Sequence, residues 1–232
     1  MKNAVVTYIF GENRELLREP LVVDEDTEYI CVTDQTKLKS NVWKLIYDPM
    51  PEIRSLRDKM ANVKYNPFKY TEAENILVQD GSFEIKTSLE ILFKEIENHD
   101  IGLKLHPVRD NLEQELPKWL ARRLPQETIK NFYIMSSVDK IKLSDVKLYE
   151  TSVILFKNTE LCRQICKTQL KYMKLLGTDG QLIVTNQCPF SYIIHKYFKN
   201  MSIYEIQRNK YYNRYIHNTK RLNIEKRWII EV

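Results

Sequence analysis

Three short polar stretches stand directly after apolar runs, and their residue types could do chemistry. Ala4–Phe10 (AVVTYIF) is followed by Gly11, Glu28–Thr33 (EYICVT) by Asp34, and Asn75–Gln79 (NILVQ) by Asp80-Gly81-Ser82. In open α/β sheets, ligands bind just past the carboxyl ends of the strands, where the strand order reverses. Tyr8, Gly11, Asp34 and Asp80 are therefore the first candidates. Asp80 is the most pointed, because a carboxylate beside a glycine at a strand end can hold a hard cation or a ribose. Asp-Gly is equally a turn-forming pair, and on local grounds both readings stand.

A second cluster is Lys104-Leu105-His106-Pro107-Val108-Arg109-Asp110. Asp110 is placed to cap the helix that follows, and Arg109 to face a phosphate or sugar hydroxyls; a plain capping and salt-bridge cluster accounts for the same residues. His217, in Tyr215-Ile216-His217-Asn218, is a lone histidine, a type more often structural than ligating. Cys162 and Cys166 lie one helical turn apart, but no nearby Cys or His completes a zinc site. Their neighbours Leu161, Ile165 and Leu170 read as a buried helix face, where free cysteine is a small hydrophobe. Glu84-Ile85-Lys86 matches half of a metal-dependent nuclease site, yet Asp80 is too close in sequence to be its separate-strand acid, and Asp58 falls in a helix. No G-x-G-x-x-G, P-loop, H-E-x-x-H or G-x-S-x-G pattern occurs. That sets aside P-loop phosphoryl transfer, Rossmann redox chemistry, zincins and the common α/β-hydrolases.

The elements that must hold these residues alternate between strand and helix. After the first two strands, Val42–Tyr47 reads as a third, and Pro51 opens a helix over Glu52–Val63. Asn75–Gln79 is a buried strand broken at Asp80-Gly81 and resumed at Phe83–Ile85. Thr87–Asn98 carries Leu89, Leu92, Phe93 and Ile96 at helical spacing, and Gly102–Leu105 is a short strand. Arg109–Leu124 is a helix with Pro117 as a kink or break, and Ser152–Phe156 is a strand. Asn158-Thr159 caps a helix reaching Leu176 before Gly177. Gly180–Phe198 is helical, interrupted near Pro189. The expected architecture is an α/β domain over residues 1–195, a mixed sheet flanked by helices, with a helical basic part over 196–232 packed on or extending from it.

The chain has 232 residues, 43% of them hydrophobic and 29% charged, which suits one folded domain and argues against wholesale disorder. No stretch approaches the roughly 18–20 apolar residues of a bilayer span, and the N-terminus lacks a signal-peptide core, so a cytoplasmic location is expected. Four cysteines are too few and scattered for a disulfide scaffold. The net charge of +5 is uneven: His195–Val232 holds nine basic and three acidic residues, so the rest of the chain is slightly acidic. Tyr197, Phe198, Tyr204, Tyr211, Tyr212, Tyr215 and Trp228 interleave those charges. Three readings follow, in this order: a solvated face whose tyrosines pack on the core, a contact with an anionic membrane, and a nucleic-acid grip.

Taken together, VVTYIFGENRELLREP (5–20), YICVTDQ (29–35), KYNPFKY (64–70), ILVQDGSFEI (76–85), LHPVRDNLEQEL (105–116) and NQCPFSYII (186–194) resemble a glycosyltransferase-like family of the GT-A type. Its plant members include seed-mucilage and tapetum proteins, and its bacterial members tend to occur with surface-polysaccharide genes. The resemblance covers most of the chain to about residue 195 and rests on the ordered set of segments. It implies a GT-A-like, Rossmann-like fold and a transferase that moves a sugar from a nucleotide-diphosphate donor, UDP-linked, to a glycan or lipid-linked glycan acceptor, with Mn²⁺ or Mg²⁺ as cofactor and no nucleic-acid partner.

By that resemblance, Tyr8 and Gly11 line the nucleotide pocket, Asp34 contacts uracil or ribose, and Lys64 stands near the diphosphate. Asp80 and His217 are the metal ligands, and His106, Arg109 and Asp110 help form the sugar or acceptor pocket. Asn186 and Gln187 fall in the family's Arg-Asp-Gln position, which here reads Thr185-Asn186-Gln187. Two departures stand out. The usual Asp-x-Asp is reduced to one acid, Asp80. Asn186 replaces the carboxylate that would serve as general base, and an amide cannot take up a proton in that role. Either another acid, Asp179 being nearest, takes that part, or configuration is retained, or turnover is weakened or lost. A peripheral contact of the basic segment with the inner face of a membrane fits a lipid-linked acceptor. The rival classes are a metal-dependent nuclease or nucleic-acid-binding protein, and a transferase fold that binds without turnover.

Overall fold

The structure is a computed structural model, which describes residues 2–11, 17–121, 126–177 and 186–214. Its centre is a seven-stranded sheet. β1 (Asn3–Ile9), β2 (Thr27–Thr33), β3 (Lys44–Tyr47), β4 (Asn75–Gln79), β6 (Ile101–Leu105), β7 (Tyr149–Lys157) and β8 (Ile203–Glu205) lie in the order β3-β2-β1-β4-β7-β6-β8. β1, β2, β3 and β4 are parallel; β7 runs antiparallel to both β4 and β6, and β8 is parallel to β6. Six strands thus share a direction, and their carboxyl ends share one edge of the sheet. The chain leaves β1 toward β2 and β3, then crosses back to place β4 on the other flank of β1. The strand order reverses there, between the ends of β1 and β4.

The apolar runs seen in the sequence are continuous because both faces of the sheet are covered. Ala4, Val6, Ile30, Val32, Ile76, Val78, Ile154 and Phe156 face one core. It is closed by α1 (Leu56–Lys64), α3 (Leu112–Ala121), α4 (Gln126–Val138), α5 (Glu160–Leu175) and α6 (Gln187–Tyr197). The alternate residues Val5, Tyr29, Cys31, Leu77, Val153 and Leu155 face a second core, covered by α2 (Glu90–Glu95) and by a small sheet. That sheet pairs β5 (Phe83–Ile85) antiparallel with β9 (Tyr212–Arg214), which follows the single turn α7 (Arg208–Tyr211).

Most elements lie where periodicity placed them, and the departures have local causes. α1 starts at Leu56 because the Ser55 hydroxyl accepts the Asp58 N–H at 3.3 Å, while Pro51 and Glu52 form a turn ahead of it. Asn111, rather than Asp110, caps α3: its side chain accepts the Gln114 N–H at 3.1 Å. Pro117 does not break α3. It and Glu113, whose carbonyl loses a partner to the proline, are both exposed, while Leu112 and Leu116 anchor the helix in the core. Pro189 sits in the first turn of α6, where an N–H is unpaired in any case, so the helix runs uninterrupted. β5 does not resume β4 but leaves for the second sheet. Beyond α6, where the sequence pointed to helix, the described residues give β8, one helical turn and β9. Ile203 and Tyr204 are strand formers that extend the sheet edge beside β6.

Candidate functional site

The end of β4 is tied to β7 by backbone and to β1 by side chain. Asp80 N–H donates to the Ser152 carbonyl at 2.9 Å, and Phe83 N–H closes a turn onto the Asp80 carbonyl at 3.0 Å. A Cβ at Gly81 would come within 2.8 Å of the Tyr8 carbonyl oxygen, so only glycine lets the turn approach β1 this closely. This packing holds the Asp80 carboxylate over the end of β1, where the Tyr8 hydroxyl donates to its Oδ1.

Lys64, the last residue of α1, reaches the same oxygen: its Nζ lies 2.8 Å from Asp80 Oδ1, with side-chain exposures of 5% and 35%. The ammonium also stands 5.8 Å from the centre of the Tyr8 ring, within cation–π range. These groups line a cavity of about 250 Å³ with Arg57, Met60, Ala61, Gly81, Ser82, Met173 and Asn186. Arg57, Met60, Ala61 and Lys64 form one stripe of α1 at i, i+3, i+4 and i+7. Two cations and one carboxylate therefore surround the cavity, an arrangement that attracts an anion.

Asn186, at the start of α6, forms the far wall. Its Oδ1 accepts the Thr151 hydroxyl at 2.5 Å, and its carbonyl accepts Gln169 Nε2 at 2.9 Å. Gly11 and Asp34 meet beside the cavity. Gly11 adopts φ 93°, its N–H donates to Asp34 Oδ1 at 2.8 Å, and its carbonyl accepts Gln35 Nε2 at 2.8 Å. Lys59 Nζ lies 3.6 Å from Asp34 Oδ2.

The second predicted cluster sits apart from this cavity. The His106 Nδ1 accepts the backbone N–H groups of Val108 and Arg109, and Nε2 lies 2.7 Å from Arg109 Nη2. Arg109 pairs with Glu115, which is fully buried, and Gln187 Nε2 donates to Glu115 Oε1 at 3.1 Å. Asp110 is exposed, and its N–H is taken by Gln114 Oε1. His106, Arg109 and Gln187 thus knit the β6–α3 turn to α6 through Glu115, and neither they nor Asp110 is on the cavity wall. Asp179, Thr185 and His217 lie outside the described residues.

The geometry unites Tyr8, Lys64, Asp80 and Asn186 and adds residues the sequence reading missed. Arg57 was legible only as a cation on the inward stripe of a helix whose start was placed four residues too early. Glu115 gave no signal, since a Glu in a Lys/Glu-rich helix reads as solvated. Glu84 and Lys86, the nuclease-like pair, are not on the cavity wall; Glu84 instead accepts from Asn213 across the small sheet at 3.1 Å.

No protein-family model matches the sequence, and no curated protein is similar to it. Among solved structures, the chain is similar to mouse xyloside xylosyltransferase 1 in its apo form, at a TM-score of 0.50 and 12% identity, covering 89% of this chain and 85% of that one. This is a glycosyltransferase-like fold. On that fold the cavity marks the place where strand order reverses, the general ligand position of open α/β sheets.

The described residues contain no group of three His, Cys, Asp or Glu side chains able to hold a metal. Cys162 and Cys166 lie buried in the α5 face of the core, as free thiols. At the cavity Asp80 is the single carboxylate, and its Oδ1 already carries an ammonium and a hydroxyl. A dication at the usual ~2.1 Å from the other oxygen would face Lys64 across roughly 5 Å. That repulsion, on the order of 6 kcal/mol at an effective dielectric of about 20, offsets a large part of the attraction that a single carboxylate supplies. The described donor set in this arrangement does not fit a divalent metal. Among the described residues no helix is long and apolar enough to cross a membrane.

Proposed function

We propose that this protein is a glycosyltransferase that takes a nucleotide-diphosphate sugar, UDP-linked, as donor and a glycan or lipid-linked glycan as acceptor. One observation carries the reading: Tyr8, Lys64 and Asp80 converge with Arg57 on a cavity at the reversal point of a glycosyltransferase-like fold. Glycosyl transfer builds negative charge on the departing diphosphate, and fixed cations at that position stabilise it in the transition state more than in the bound substrate. Lys64 and Arg57 are those cations. Tyr8 and Gly81 form the cavity floor, and the Asp34–Gly11 hydrogen bond fixes the loop beside it.

Asp80 is the single carboxylate on the described wall and is engaged by Lys64, and Asn186 has no proton-accepting power. The acceptor hydroxyl's proton therefore passes to a group outside that wall or to the departing phosphate itself. The acceptor side is proposed to lie toward Asn186 and Ser82, with the basic C-terminal segment meeting an anionic membrane when the acceptor is lipid-linked.

The test is nucleotide release. The protein is incubated with a panel of UDP-sugars and glycan or lipid-linked acceptors, and free UDP is measured. Release that depends on both an acceptor and Lys64 supports the proposal. A protein that binds no nucleotide and releases none with any pair would sink it. Binding with no release under any pairing would leave a nucleotide-sugar-binding protein on a transferase fold.

A further inference from the structure

The Lys64–Asp80 pair has a consequence for how a nucleotide would be held. Lys64 is buried at the end of α1, and its side chain is 5% exposed. A buried ammonium needs a partner within hydrogen-bond reach, and Asp80 supplies it while remaining one-third open to the cavity. Arg57, two turns earlier on the same stripe of α1 and exposed, adds a guanidinium whose planar fork matches phosphate oxygens.

We infer that this site binds the diphosphate of its nucleotide through Lys64 and Arg57, with no divalent metal, and that Asp80 serves as the counter-ion that holds the Lys64 ammonium in place at the cavity. The inference rests on the transferase reading and specifies its electrostatics. Lys64 donates to a phosphate oxygen from the side of the ammonium that faces the cavity while retaining Asp80 Oδ1. Tyr8 donates to the same oxygen and so fixes the orientation of the carboxylate beside Lys64.

The experiment is a thermal-shift and calorimetric titration of the full chain with UDP, in EDTA and in Mn²⁺. Wild type, Lys64→Met, Arg57→Gln and His217→Ala are compared. The expected result is that UDP raises Tm and binds equally well in EDTA and in Mn²⁺. Lys64→Met should weaken binding about ten- to hundredfold, the scale of a lost hydrogen bond to a charged group. Arg57 is exposed, so Arg57→Gln leaves the fold intact and should weaken UDP in a salt-dependent way; it keeps the test decisive if Lys64→Met folds poorly. UDP binding that requires Mn²⁺ and disappears in His217→Ala would overturn the inference while leaving the transferase reading standing. Absence of UDP binding in either buffer would overturn both.

Discussion

The Nζ of Lys64 lies 2.8 Å from the Oδ1 of Asp80, joining the last residue of α1 to the first residue after β4. The two partners are unequally buried, and that asymmetry sets what each substitution does. Asp80→Asn strands a buried ammonium, whereas Lys64→Met leaves a carboxylate that water can reach. We expect Asp80→Asn to lose roughly 1–3 kcal/mol, below the ~3–5 kcal/mol of a fully buried pair, and Lys64→Met to lose less. Urea unfolding of both variants and the double mutant measures this; an equal or larger loss for Lys64→Met would show that Asp80 is not the stabilising partner.

Gly81 is required by the approach of the Asp80 turn to β1, not by its backbone angle. Gly81→Ala must push the turn away from the Tyr8 carbonyl, which a Cβ would meet at 2.8 Å. The expected cost is roughly 1–3 kcal/mol, the scale of overpacking. The Tyr8–Asp80 contact should separate with it, so a Tm unchanged within error would contradict this packing.

Glu115 is fully buried and joins Arg109 to Gln187. Glu115→Ala should destabilise the protein by about 3–5 kcal/mol, since the guanidinium is left without its partner. Nucleotide affinity should change little, because none of the three residues is on the cavity wall. A variant of normal stability that fails to bind UDP would instead place Glu115 in the site.

Stability should fall as pH rises above about 9. Burial pushes the Cys31 thiol up to about 12 from an ordinary 9.0. Burial also holds the Cys166 thiol and the Tyr65 and Tyr212 hydroxyls well above their ordinary values. In the unfolded chain these groups lose protons at their ordinary values, while the folded chain retains them. The unfolded state then binds fewer protons, and unfolding becomes easier with increasing pH. The urea midpoint at pH 10 should lie below that at pH 7.5, and no thiol should react with a disulfide reagent before unfolding, since all four are buried. Fast reaction of a native thiol would contradict this burial.

The basic segment cannot be removed cleanly at residue 195. β8 pairs with β6, and β9 covers the second core beside β5. A chain ending there should lose solubility or cooperative unfolding. Membrane contact is better tested by replacing Lys220, Arg221, Lys226 and Arg227 with Ala in the intact chain and measuring pelleting with anionic liposomes. Undiminished pelleting would remove the basic segment from the membrane proposal.

The sequence by itself determined the strands and the suspects at their ends. Runs such as NILVQ can be continuous only where both faces are covered; Asp80 and Asp34 follow such runs, and Tyr8 lies near the end of one. The 3.6-residue spacing of Cys162, Ile165 and Cys166 likewise marked a buried helix face. What only tertiary structure decided was which polar groups meet. Lys64 and Asp80 lie sixteen residues apart on different elements, and only the crossover from β3 through α1 to β4 brings them into contact. The burial of Glu115, the departure of β5 to pair with β9, and the separation of the His106–Arg109 turn from the cavity have the same origin. Each depends on long-range packing, which local periodicity does not encode.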